Sequence, residues 1–327
     1  MANKQILIWL HAGEQALSEA LARVDGISII RPASQSQALL AMHDADGLVT
    51  STVLWDRDFA RELRRATRLV WIQVLNAGFD NMERLGVPKR VTVSTIGGIG
   101  AEAVAEHALA LLLALLHGLP AALHAQRSRV WDPRSVVRNA RTLHELTVGV
   151  VGFGHIGHAA ALRARAFGAR VEAFARTARA AESGIEVKAI DGFRASLPHL
   201  DAVLVCAPLN EATEHLLDEA AFAAMKPGTR LVNVSRGPIV DTNALVDALK
   251  KGKVAGAALD VVEPEPLPAS HPLWSLPNVI VTPHVAWAGG GESHFLEQRE
   301  LVVENVGRFA RGEAVLNAAT VRYAAGE

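Results

Sequence analysis

The sequence predicts an α/β protein with doubly wound parallel sheets. Three observations carry this expectation. Short apolar runs rich in β-branched residues recur along the chain, for example at 5–10, 148–151, 202–206 and 254–259. Segments of helical period alternate with them, for example at 14–23 and 242–250. A glycine-rich turn, Gly152-x-Gly154-x-x-Gly157, sits directly between such a strand and such a helix. Strands that are apolar throughout are buried on both faces, and their alternation with helices implies parallel pairing.

Taken in order, strands are expected at 5–10, 27–30, 46–50, 69–74 and 91–94, with helices at 14–23, 37–42 and 58–65. These residues make a small α/β domain of their own. Three glycines, Gly97, Gly98 and Gly100, then precede a long helix expected at 101–119. Glycines ahead of a long helix mark a hinge or a domain crossing. The stretch 127–141 reads as polar and irregular, with a turn at Trp131-Asp-Pro133. Further strands are expected at 148–151, 171–175, 202–206, 230–234, 254–259 and 279–282. The helices between them fall at 159–165, 220–225 and 242–250, and a last one at 293–310 follows Gly289-Gly-Gly291. Pro208 stops one strand, and Lys226-Pro-Gly228 ends a helix.

Composition narrows the function classes. The 327 residues carry 33 Lys and Arg against 34 Asp and Glu, a formal charge of −1. There is no basic excess to bind nucleic acid, and no acidic tail. Cys206 is the single cysteine, which excludes an internal disulfide framework and suits a reducing, cytoplasmic setting. The N-terminus runs straight into a strand pattern without a signal-peptide layout. The most apolar run, 108–116, is far shorter than the ~18–20 residues that cross a bilayer, so no membrane contact is expected. There is no HExxH and no paired cysteine, so no metal site is expected.

Strand, glycine turn and helix together form a dinucleotide fingerprint. Gly152 permits the tight turn, Gly154 lets a pyrophosphate approach the backbone, and Gly157 lets helix and strand pack closely. The cofactor site is therefore expected over Gly152, Phe153, Gly154, His155, Ile156 and Gly157, with the anion at the helix start. An acidic residue usually follows about 20 residues on, to hold the adenosine ribose. Here the second strand ends Ala175-Arg-Thr177, with Arg179 close behind. An arginine cannot accept a bond from a ribose hydroxyl, but it can grip a 2′-phosphate. Arg176, Thr177 and Arg179 thus favour NADP(H), with NAD(H) the second cofactor the loop could take.

Three stretches remain, each following a strand: Asn233-Val-Ser-Arg-Gly237, Asp260-Val-Val-Glu-Pro-Glu265 and Thr282-Pro-His284. Ligands sit outside the carboxyl ends of parallel strands. A cation, an acid and an imidazole at successive strand ends could reduce a carbonyl beside a carboxylate. At these residues the chain resembles the D-isomer-specific 2-hydroxyacid dehydrogenases, and in pattern the NADPH-using glyoxylate/hydroxypyruvate reductases among them. Ala103-Val-Ala-Glu-His107 and Cys206-Ala-Pro-Leu209 with Thr213 extend the likeness over nearly the whole chain.

The resemblance implies two Rossmann- and flavodoxin-like domains with the active site in the cleft between them. It implies a substrate domain of 1–98 and 288–327, a dinucleotide domain of 99–287, and a homodimer built through the latter. It assigns catalysis to Arg236, Glu265 and His284, with Glu265 rather than Glu263 as the family's acid. Asp260 matches the residue at the nicotinamide carboxamide, and Ala207, Pro208, Thr213, Val234 and Ser235 fall on further cofactor contacts. Asn76, Ala77 and Gly78 match the loop whose N–H groups hold the substrate carboxylate, shared with Arg236 and His284. Trp287, where the family has small residues, is expected to wall the pocket. The implied reaction passes a hydride from NADPH to a small 2-oxo acid, giving the D-2-hydroxy acid. Two other readings stay open: an NAD-dependent oxidising relative, and a dinucleotide-sensing binding protein of the same fold.

Overall fold

A computed structural model describes residues 3–321 except 11, 12, 77, 79, 139 and 145. The chain forms two compact units, Met1–Ile99 with Gly291–Glu327, and Gly100–Gly290. The first begins β1 Lys4–Trp9, α1 Glu14–Leu21, β2 Ile27–Ile30, α2 Gln35–Ala41 and β3 Gly47–Thr50. It continues α3 Arg57–Arg65, β4 Trp71–Val74, α4 Asp80–Leu85 and β5 Thr92–Ser94. The second unit opens with three helices, α5 Ala101–Leu116, α6 Leu119–Arg127 and α7 Pro133–Val137. Then come β6 Thr147–Val151, α8 His155–Ala166, β7 Arg170–Ala175, β8 Arg179–Glu182, β9 Ile185–Ala189 and α9 Phe193–Ser196. It closes with β10 Ala202–Val205, α10 Glu219–Ala224, β11 Thr229–Asn233, α11 Thr242–Lys250, β12 Val254–Leu259 and β13 Val279–Val281. The chain returns to the first unit through α12 Gly291–Arg311 and β14 Ala318–Ala319. Among the described residues no single helix is long and apolar enough to cross a membrane.

Each unit is built on one sheet with both faces covered. The first has the order β14-β5-β4-β3-β1-β2, parallel except for β14. The second has the order β13-β12-β11-β10-β6-β7-β9-β8, parallel except for β8. The strand pattern explains the two-sided burial. Leu7 enters one core of the first unit while Ile6 and Ile8 enter the other. Ala202 and Leu204 likewise oppose Val203 and Val205 in the second. In that sheet the chain order reverses between β6 and β10, which makes their carboxyl ends the switch point where ligands bind.

The α/β class with parallel-dominated sheets agrees with the expectation, and several local features differ from it. The helix expected at 101–119 ends at Leu116, because Gly118 turns left-handed at φ +67°. A Cβ there would lie 2.6 Å from the Val136 carbonyl oxygen, so the chain crosses its own backbone before α6 starts. The polar stretch 127–141 contains α7, capped by the Asp132 carboxylate. The strands β8 and β9 were not expected: Arg-Ala-Ala-Glu carries no apolar alternation, whereas the alternating Ile-Glu-Val-Lys-Ala of β9 was overlooked. His155 is the first residue of α8 rather than part of the glycine loop.

Asp46 ties the amino ends of three strands in the first unit. Its carboxylate accepts the Gln5 N–H at 2.7 Å and the Arg68 guanidinium at 3.0 and 3.1 Å. Burial would raise its carboxyl, but Arg68 and the Gln5 N–H outweigh burial and hold it below the ordinary 3.8. A carboxylate so depressed adds stability above its unfolded value, lost as pH falls through the folded one. Asp46→Asn should therefore cost about 1–2 kcal/mol at neutral pH, measured by denaturant unfolding. The gap to wild type should close below pH 3.8; a gap unchanged in acid would exclude the charge as its source.

Candidate active site

The strand register of the second unit sets the site. Val151, Val205, Asn233, Leu259 and Val281 pair across the sheet in one row. The residues that follow them, Gly152, Cys206, Val234, Asp260 and Thr282, open the loops expected to carry cofactor and chemistry.

The glycine turn leaves β6 with Gly152 at φ +92°. A Cβ on Gly152 would lie 2.4 Å from the Ala207 nitrogen, and one on Gly157 1.9 Å from the Gly152 carbonyl oxygen. Both close approaches exclude any larger residue. A Cβ on Gly154, by contrast, would meet nothing within 4 Å. Gly154 caps α8 without a side chain, so the first-turn N–H groups, including those of His155 and Ile156, lack partners within the helix. Open space before a helix start with its positive dipole end fits a dinucleotide pyrophosphate.

The neighbouring loops close around this turn. The Arg179 guanidinium donates to the Phe153 carbonyl at 2.5 Å and stacks 5.3 Å above the Phe153 ring. Arg176 and Thr177 are exposed just past β7, where Ala175 replaces an acidic tip. Thr213 is buried, donating to the Pro208 carbonyl at 2.7 Å and accepting the Asn210 N–H at 2.9 Å. It thus closes the loop after β10. The Ser235 hydroxyl donates to the Ala207 carbonyl, and Val234 is buried beside it. Burial pushes the Cys206 thiol up to about 12, which removes it as a nucleophile at neutral pH.

The three chemical stretches meet at the next strand ends. Asn233 shapes the Arg236 turn, accepting the Ser235 N–H at 3.1 Å and donating to the Arg236 carbonyl at 2.9 Å. The Arg236 guanidinium reaches the Ser235 carbonyl at 2.6 Å. At Gly237 a Cβ would lie 2.0 Å from the Val262 carbonyl oxygen, so the loops after β11 and β12 touch backbone to backbone. Glu265 then faces His284, its Oε1 2.6 Å from Nδ1. A carboxylate only accepts, so Nδ1 carries the proton of this bond and Nε2 is left for a substrate. His284 and Glu265 side chains are 45% and 40% exposed, open enough to meet a ligand. Glu263 turns elsewhere, 3.3 Å from His215.

Asp260 stands apart from these. It is 2% exposed, and its carboxylate accepts the Thr282 hydroxyl at 2.6 Å and the Val285 and Ala286 N–H groups at 3.0 Å. The side chain therefore organises the His284 loop. Trp287 follows in the short 3-10 turn Ala286–Gly290 and is half exposed. In the first unit, Asn76 accepts the Ser51 hydroxyl at 2.6 Å and the Thr52 N–H at 2.9 Å, and the Gly78 carbonyl accepts the Thr52 hydroxyl at 3.0 Å. Ala77 lies outside the described residues. Sequence reasoning overlooked Thr282, although it stands in the Thr-Pro-His motif, and gave His107 no role.

A dinucleotide sheet with a guanidinium and a carboxylate–imidazole pair at its strand ends is the equipment of a nicotinamide-dependent oxidoreductase. The model of the D-isomer specific 2-hydroxyacid dehydrogenase NAD-binding domain matches residues 109–286. The glyoxylate reductase of Thermococcus litoralis is 36% identical over 281 residues, 83% of this chain and 82% of that protein. The glyoxylate reductase of Pyrococcus furiosus is 34% identical over 86% of this chain and 84% of its own. The D-isomer specific 2-hydroxyacid dehydrogenase of Xanthobacter autotrophicus, solved with NADPH and MES, superposes with a TM-score of 0.80 at 28% identity, covering 98% of both chains. The chain belongs to the D-isomer specific 2-hydroxyacid dehydrogenase family. It is an NAD(P)-dependent oxidoreductase of 2-oxo and 2-hydroxy acids.

The backbone contact at Gly237 generates a test. Gly237→Ala places a methyl against immovable backbone, so the loop bearing Glu265 must shift. A misplacement of about 1 Å costs on the order of 100-fold in rate. Turnover of 2-oxo acids should fall by that factor, while circular dichroism still reports the folded sheet. Wild-type turnover in this variant would mean that the two loops need not touch.

Proposed function

We propose that this protein is an NADPH-dependent reductase of small 2-oxo acids, with glyoxylate and hydroxypyruvate as its substrates and D-2-hydroxy acids as products. The observation that carries this reading is the 2.6 Å pair of His284 and Glu265 on loops packed against the Arg236 turn. The glyoxylate reductases named above support the substrate class. Ala175 at the strand tip, with Arg176, Thr177 and Arg179 beyond it, supports NADPH, and a relative solved with NADPH agrees with it.

The residues divide the work by their chemistry. Gly152 to Gly157, Ala207, Pro208, Val234 and Ser235 would hold the cofactor, with Thr213 bracing that loop. When bound, NADPH supplies the hydride that reduces C2. Arg236 grips the carboxylate and polarises the ketone through its forked donors. The family resemblance assigns the loop of Asn76, Ala77 and Gly78 in the first unit, the substrate domain in this reading, to a substrate carboxylate. Protonated His284 passes its Nε2 proton to the developing alkoxide. Glu265 holds the ring by Nδ1 and offsets its positive charge. We further assign the protein to the cytoplasm and to a homodimer formed through the dinucleotide unit. The exposed apolar side chains of Leu119, Leu123, Val130, Val137 and Trp131, the last 97% exposed, support the dimer.

Two groups of outcomes are expected, the first on substrate and cofactor. A spectrophotometric panel of NADPH and NADH against glyoxylate, hydroxypyruvate, pyruvate and larger 2-oxo acids should show turnover, fastest with NADPH and a small acid. Arg176→Ala should weaken NADPH binding roughly 10- to 150-fold, the range of a charged hydrogen bond, and leave NADH nearly untouched. Equal losses for both cofactors would remove Arg176 from the 2′-phosphate, and no turnover with any 2-oxo acid would favour the sensing protein.

The second outcome concerns charge. Glu265→Gln keeps shape and hydrogen bond but removes the carboxylate that offsets the ring's charge. Reductive kcat with glyoxylate should fall at saturating NADPH, while NADPH affinity by fluorescence titration stays near wild type. Wild-type kcat in this variant would mean that the reaction does not need the carboxylate's charge.

A further inference from the structure

His107 lies on α5, in a motif to which neither cofactor binding nor proton transfer gives a use. Its Nε2 is 3.2 Å from the Thr282 hydroxyl oxygen and 3.5 Å from Asp260 Oδ1. The Thr282 hydroxyl itself lies 2.6 Å from Asp260 Oδ1. A hydroxyl has one proton and a carboxylate has none to give. Thr282 therefore donates to Asp260, and His107 must donate to Thr282, which puts a proton on Nε2.

The chain of bonds continues to the active histidine. Asp260 Oδ1 and Oδ2 accept the N–H groups of Val285 and Ala286, each at 3.0 Å. The Asp260 main-chain carbonyl accepts the His284 N–H at 2.8 Å. Between these anchors His284 sits at φ +55°, a left-handed conformation that a side-chain-bearing residue keeps only when its surroundings hold it there. His107, Thr282 and Asp260 all lie in the second unit with His284. His107 and Asp260 side chains are 24% and 1% exposed, so little water competes for these bonds.

We propose that His107 is a positioning residue for His284. It orients the Thr282 hydroxyl, which fixes the Asp260 carboxylate, which clamps the two N–H groups that follow His284. The inference rests on the reading of His284 as the proton donor, and its consequence is specific to that reading. Loosening the clamp misplaces the imidazole while leaving the pyrophosphate loop intact, so kcat suffers more than cofactor affinity, to which Asp260 adds only a contact at the nicotinamide end.

The test compares His107→Leu with His107→Gln in the full-length protein. Leucine keeps bulk and loses the donor, whereas glutamine puts an N–H near the lost Nε2. His107→Leu should lower kcat with glyoxylate about five- to tenfold, the weight of one neutral hydrogen bond. NADPH affinity by fluorescence titration should stay within about twofold, and His107→Gln should recover most of the rate. Amide hydrogen exchange at Val285 and Ala286 should quicken in the leucine variant, not in the glutamine one, with β12 amides unchanged. Thr282→Val cuts the same chain one bond later and should reproduce the leucine result if that variant fails to fold. Unchanged exchange at Val285 and Ala286, or a glutamine variant as slow as the leucine one, would overturn the proposal. Full activity in His284→Ala would instead overturn the role of His284, and the exchange data would still decide whether His107 holds the loop.

Discussion

Parallel pairing is the constraint from which the candidate site follows. Because β6, β10, β11, β12 and β13 run the same way, they end on the same side, with Val151, Val205, Asn233, Leu259 and Val281 in one row. The glycine turn, the Ala207 loop, the Arg236 turn, the Glu265 loop and the His284 loop all start one residue later. Loops spread along the chain from Gly152 to His284 thereby open on one side of the sheet. The apolar strands that enforce this are buried on both faces, so a slip by one residue would drive every side chain to the wrong layer.

What closes the loops on one another is the absence of side chains at chosen points. Gly152 lets β6 reach the Ala207 loop, and Gly237 lets the Arg236 turn lie on the Val262 carbonyl. Gly154 serves differently, since its missing Cβ opens space rather than filling a contact. The fingerprint thus mixes two physical demands, dense backbone packing and a vacant approach to a helix start.

The polar residues of the candidate site split into partly open ones and buried ones that hold the first kind still. His284 and Glu265 are partly open, while Asp260 and Thr213 are buried with their oxygens engaged by the chain. Asp260 gathers the loop after β13 much as Asp46 gathers the strand starts of the first unit, by offering one carboxylate to several N–H donors. The carboxylate, buried at Asp260 and partly buried at Asp46, is stable in both places because each of its donors replaces lost water.

The α/β class and the dinucleotide turn were legible in the sequence, because apolar period and glycine spacing are local properties. So were Arg236, Glu265 and His284 as candidates, since each stands a few residues beyond a recognisable strand. The strand β8 was not, because Arg179 to Glu182 has no apolar alternation to betray a strand. Nor was the break at Gly118, which depends on the Val136 carbonyl crossing above it. The pairing of His284 with Glu265 and of Glu263 with His215 was decided only in three dimensions. The bond from His107 to Thr282 spans 175 positions, and no periodicity along a chain encodes which helix residue meets which strand end. Sequence alone determined what each segment becomes, because propensity and burial act locally. Tertiary structure decided which polar groups share a proton, because hydrogen bonds depend on distances that only packing sets.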